Sequence, residues 1–108
     1  AVDVAQFGLD GLGARATIVQ FSTELCSRCP GVQRTIDGLV DGQTELAFAH
    51  VDVTHRPDLA SEFGLLQTPT VLLLDDAGRP RTRLSGAISR QTLTQELASL
   101  TGGLSVAR

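Results

Sequence analysis

Thr17-Ile18-Val19-Gln20-Phe21-Ser22 runs through Thr23-Glu24-Leu25 into Cys26-Ser27-Arg28-Cys29, and this stretch decides the fold. An apolar run of strand length leads straight into two cysteines three apart. Val32, Ile36, Leu39 and Val40 then recur at helical spacing. A Cys-x-x-Cys pair either closes a small disulfide ring or holds a metal, and the strand-before, helix-after setting favours thiol–disulfide chemistry. These are the only cysteines in 108 residues. A closed zinc site draws on four Cys or His ligands. His50 and His55 are the other candidates, and their spacing does not bring them to the cysteines. A purely structural crosslink would gain little, because so short a ring hardly constrains the unfolded chain. The expected site is therefore a redox-active Cys26–Cys29 pair with no metal and no cofactor.

Outward from that stretch, the pattern reads β-α-β-α-β-β-α. Residues 15 to 22 form a buried strand and the segment after Cys29 a helix, stopped by Asp41-Gly42. Leu46 to Val53 is a second strand. Pro57 opens a short helix with Leu59, Ala60 and Phe63, closed by Gly64. Thr70 to Leu74 is a strongly apolar third strand. The turn Asp75-Asp76-Ala77-Gly78 returns Arg79 to Ser85 as an antiparallel fourth. Ser89 caps a last helix carrying Leu93, Leu97 and Leu100, which Gly102-Gly103 ends. Before the first strand, Val4, Phe7 and Leu12 sit at the spacing of a short amphipathic helix, weakened by Gly8, Gly11 and Gly13. The expectation is a central mixed four-stranded sheet with helices on both faces, one domain over residues 1–108, with 1–14 and 102–108 peripheral or frayed.

Composition narrows the function. Hydrophobic content of 42% and charged content of 19% suit one globular domain with a single core. A net charge of −3, with acids and bases interspersed, argues against a nucleic-acid surface. No apolar run has the length of a membrane span. The expected setting is cytoplasmic, or tethered to a membrane by an N-terminal segment outside this sequence. A monomer is expected.

With these residues in place, the chain resembles the thioredoxin superfamily, over about Ala16 to Leu100. Cys26-Ser27-Arg28-Cys29 matches the motif that opens the family's first long helix. Thr68-Pro69-Thr70 resembles its cis-proline segment and Ser85-Gly86-Ala87 the glycine segment after the fourth strand. A looser likeness, in Ala16 to Ser22, is to small actinobacterial thioredoxin-like proteins, some of them membrane-tethered. The resemblance implies a thioredoxin-like fold and an oxidoreductase acting on protein disulfides. It also implies a dithiol electron donor of the thioredoxin-reductase type. The departures are specific. Leu25 stands for the family's tryptophan and Ser27-Arg28 for Gly-Pro. Gln20 replaces the buried acid, His50 a lysine of the next strand, and Pro30 a lysine after the second cysteine. The family's N-terminal strand has no clear counterpart.

The chemistry expected of each residue follows. Cys26, at a helix N-terminus and near the charge of Arg28, is the nucleophile, its thiolate favoured by both. Cys29 is the more buried resolving thiol. Gln20 cannot take a proton and reads as a satisfied polar residue at a strand edge. Pro69 is expected cis, leaving the Thr68 backbone to pair with an extended peptide. Leu25, Ser27, Arg28, Thr68, Pro69 and Gly86 form the expected substrate-binding surround, with exposed apolar area at Leu25, Leu66 and Pro69. His50 is either an ordinary strand-end residue or a proton acceptor near the dithiol. Asp75 and Asp76 read as turn residues. A non-catalytic adapter or redox-sensing module of the same fold stays open as the alternative.

Overall fold

The computed structural model describes residues 1–102, and the last-glycine stop at Gly103 and the expected frayed tail lie outside them. Seven elements follow a 3₁₀ turn at Val4–Phe7: β1 Ala16–Ser22, α1 Cys29–Val40, β2 Leu46–Asp52, α2 Pro57–Glu62, β3 Thr70–Leu74, β4 Pro80–Ser85 and α3 Arg90–Leu100. They build one four-stranded sheet in the order β2-β1-β3-β4. β1 pairs parallel with β2 and antiparallel with β3, and β4 runs antiparallel to β3.

β1 and β3 are interior strands and every residue in both is buried, which is why they read as near-continuous apolar runs. Their side chains alternate between two cores. Ala16, Ile18, Val71 and Leu73 pack under Val32, Ile36 and Leu39 of α1 and Leu93 and Leu97 of α3. Val19, Phe21, Leu72 and Leu74 face the other way, onto Leu59 of α2 and Val4 of the N-terminal turn. Phe7, Phe21 and Phe63 meet in that second core, with centroids 5.0–5.8 Å apart. Helices therefore cover both faces, as the pattern requires.

The differences from the sequence reading are local. The N-terminal segment makes one 3₁₀ turn capped by Asp3 rather than an amphipathic helix reaching Leu12, because Gly8 takes φ +84° and ends it. Leu12 lies outside the turn and is exposed. β4 starts at Pro80: the Arg79 carbonyl and amide are both used by Asp75 to close the turn. α1 begins at Cys29, not Cys26. Gly64, at φ +61°, turns the chain out of α2, and its N–H reaches the Ser61 carbonyl.

Candidate functional site: a dithiol turn over a buried polar chain

Cys26 and Cys29 are joined as a disulfide, their Cα atoms 5.4 Å apart. The chain reaches them at the end of β1 and turns sharply. Cys26 N–H donates to the Thr23 carbonyl, and Cys29 N–H to the Cys26 carbonyl. The motif is thus a turn preceding α1. Cys26 stands one turn ahead of the helix that was expected to begin with it. Cys29 is the first helical residue and Pro30 follows, where its missing N–H costs nothing. The two cysteines differ in burial: Cys29 is 3% exposed, whereas Cys26 is partly open.

The expected surround converges on this turn. A depression of about 390 Å³ is bordered by Thr23, Leu25, Cys26, Ser27, Arg28 and Thr68. The Thr68–Pro69 peptide is cis. Thr23 Oγ1 and Thr68 Oγ1 are hydrogen-bonded at 3.1 Å, tying the proline segment to the cysteine turn. Gly86 N–H donates to the Pro69 carbonyl at 3.1 Å, and its φ of +76° is a conformation that L side chains rarely adopt. Leu25 and Leu66 are 96% and 98% exposed, while Pro69 is buried and adds nothing to the exposed apolar area expected of it.

Beneath Cys29 lies a polar chain that the sequence reading did not assemble. Gln20 is fully buried in the interior strand β1, not at a sheet edge. Its Nε2 donates to the Cys29 carbonyl and to Ser22 Oγ, both at 3.0 Å. The carbonyl fixes the amide's orientation, since only the NH₂ end can donate to it. Ser22 Oγ lies 2.8 Å from His50 Nε2. Ser22 accepts from Gln20, so its single proton is free to donate to the neutral imidazole. Gln20 Oε1 is buried with no hydrogen-bond partner among the described residues, so the side chain is half satisfied rather than satisfied. Ser22 is the residue missed by sequence reasoning. It lies two positions after Gln20, on the same face of β1, and that period is the signal.

A cavity of about 110 Å³ opens beside this chain, between Ser22, Cys29, Gln33, His50 and Asp52. Asp52 is held below its ordinary carboxylate value, first by the Thr54 hydroxyl and then by the Thr54 N–H. It therefore presents a stable negative charge near His50. His55 pairs with Glu24 at 3.7 Å on the surface and borders neither cavity that holds the cysteines. Among the described residues, no three His, Cys, Asp or Glu side chains are grouped to hold a metal.

The model of the Thioredoxin family matches residues 9–99. The chain belongs to the thioredoxin family. It is 29% identical to the thioredoxin of Mycobacterium tuberculosis, over 93% of this chain and 87% of that protein. It is 28% identical to the bifunctional thioredoxin reductase/thioredoxin of Mycobacterium leprae, over 93% of this chain and 22% of that longer protein. The fold superposes on a thioredoxin from Halobacterium salinarum, solved as a mutant, with a TM-score of 0.73 and 25% identity, covering 89% of this chain and 80% of that one. Membership of this thioredoxin family and the closed Cys26–Cys29 pair make the protein a thiol–disulfide oxidoreductase.

Proposed function

We propose that this thioredoxin-family protein reduces disulfides in other proteins, with Cys26 attacking and Cys29 resolving. The observation that carries the assignment is the unequal burial of the two sulfurs in one turn, Cys26 partly open and Cys29 enclosed. Cys26 thiolate attacks a substrate disulfide. One S–S bond breaks, a mixed disulfide forms, and the first substrate sulfur leaves as a thiolate that takes a proton from solvent. Cys29 thiolate then attacks Cys26 Sγ. The Cys26–Cys29 bond forms, and the second substrate sulfur leaves with the electron pair. The substrate gains two electrons and two protons.

The resolving step needs Cys29 deprotonated in a buried place. His50 is the proton acceptor in this reading. A water in the cavity takes the Cys29 proton and passes one to Ser22 Oγ, whose own proton moves to His50 Nε2. Ser22 Oγ has one lone pair on the Gln20 amide and one left for that water. Asp52 stabilises the resulting imidazolium. The oxidised pair is returned to the dithiol by a dithiol donor of the thioredoxin-reductase type, a reading supported by the fused reductase of the Mycobacterium leprae relative. We assign the cycle to a monomer in the cytoplasm, where a closely spaced pair is kept reducible.

Single cysteine variants test the roles. Cys29→Ser should accumulate mixed disulfides through Cys26, and Cys26→Ser should form far fewer. If both variants bind a partner as tightly as wild type, and wild type shows no turnover, the protein is an adapter and the reading is wrong.

A further inference from the structure

A groove of about 500 Å³ adjoins the cysteine turn, and His50 is not among its lining residues. Arg28, Gly31 and Arg34 form one wall and Gly86, Ala87 and Ser89 the other, and among the described residues no acidic side chain lines it. Arg28 also borders the depression that holds Cys26, so groove and nucleophile are continuous. All nine basic residues of the chain are arginine. Arg15, Arg56 and Arg81 are paired with Glu45, Asp58 and Asp75. Arg28 and Arg34 are in none of the ion pairs found among the described residues. A Cβ on Gly31 would lie 3.8 Å from Arg34 Nη2, so that guanidinium sits close over bare helix backbone at the groove. The other side of the disulfide carries the opposite sign, with Glu24 and Asp52.

We propose that this groove selects protein disulfides whose cysteine is flanked by acidic residues, with Arg28 and Arg34 taking the substrate carboxylates. The proposal rests on the oxidoreductase reading and adds the substrate class. A guanidinium offers a planar fork that matches a carboxylate in two parallel hydrogen bonds. The first turn of α1 adds the positive end of its dipole at the same wall. The chain carries −3 overall, so the sign of this groove is opposite to that of the whole molecule. Such a field acts mainly on encounter rate and orientation, and salt weakens it.

The test uses disulfide-bonded peptides identical except at the positions flanking one cysteine, which carry Glu, Gln or Lys. Reduced protein is mixed with each, and the rate of thiol release is divided by the rate with dithiothreitol, which removes the effect of the flanks on the peptide's own reactivity. At low salt the Glu peptide should react about tenfold faster than the Lys peptide, with Gln between. High salt should shrink the ratio. Arg34→Gln should shrink it at low salt, and Arg34→Lys should restore part of it. Equal normalised rates for the three peptides, with reduction proceeding, would overturn the groove and leave the oxidoreductase reading standing. A Glu preference unchanged in an Arg28→Gln/Arg34→Gln double variant would overturn it too. If reduced wild type reduces none of the peptides, the oxidoreductase reading fails and this proposal with it.

Discussion

Gln20 Nε2 donates to the carbonyl oxygen of Cys29 at 3.0 Å, joining the centre of the sheet to the first residue of the helix that carries the buried sulfur. The same nitrogen donates to Ser22 Oγ, so one amide sets both the backbone under Cys29 and the hydroxyl beside His50. Gln20→Leu removes both bonds and leaves a buried carbonyl and hydroxyl short of a donor. Unfolding of the oxidised protein in denaturant should show a loss of about 1–3 kcal/mol. A change within the measurement error would mean that the amide does not hold this end of α1.

The proton path predicts a kinetic signature. If His50 takes the proton through Ser22, His50→Gln should slow resolution of a trapped Cys26 mixed disulfide about tenfold or more at neutral pH. Ser22→Ala should lower the rate in the same direction with the histidine still present. A His50→Gln rate equal to wild type would remove His50 from the mechanism.

Arg28 places a permanent charge in the two-residue loop between the cysteines, and it favours the reduced thiolate over the disulfide. Arg28→Gln, which removes the charge and keeps the length, should make the couple more reducing. A shift of roughly 10–30 mV in glutathione buffers is expected, since about 30 mV is a tenfold change for two electrons. An unchanged or more oxidising midpoint would show that the guanidinium acts only outside the dithiol.

Asp75 closes the β3–β4 turn, its Oδ1 accepting from the amides of Ala77 and Arg79. The Arg79 amide above all, then the Ala77 amide and the Arg81 guanidinium, holds its carboxyl below the ordinary 3.8. A group lowered in this way stabilises the fold above its unfolded value and loses that contribution as pH falls through the folded one. Thermal unfolding followed from pH 7 downward should therefore show wild type losing stability through the acid range. Asp75→Asn should melt a few degrees lower at pH 7 and decline less steeply below pH 5. Parallel profiles for the two proteins would assign the acid loss to other carboxylates.

Much of this molecule was legible in the order of its residues. The all-buried strands β1 and β3 appear as apolar runs because sheet and helices cover both of their faces. α1 and α3 appear as periodic leucine, isoleucine and valine because each buries one stripe. The Cys26–Cys29 pair and Thr68-Pro69 were legible because their meaning is local or carried by a short motif. The start of α1 was not: Cys29 N–H is bound by the Cys26 carbonyl, and a turn of that kind has no mark distinguishing it from a first helical turn.

Gln20, Ser22, His50 and Cys29 show the other limit. No short motif joins these four, and 28 positions separate Ser22 from His50. The parallel register that sets Gln20 opposite His50 brings them onto one face beneath the helix, and only then do amide and hydroxyl join the imidazole to the Cys29 backbone. The grouping of Arg28 with Arg34 opposite Gly86 is of the same kind, since α1 and the loop after β4 meet only in the folded sheet. Periodicity and short motifs, which act between near neighbours, determined the elements and the dithiol from sequence alone. The proton path and the charge of the groove were decided by tertiary structure, because hydrogen bonds and ion pairs depend on distance in space rather than along the chain.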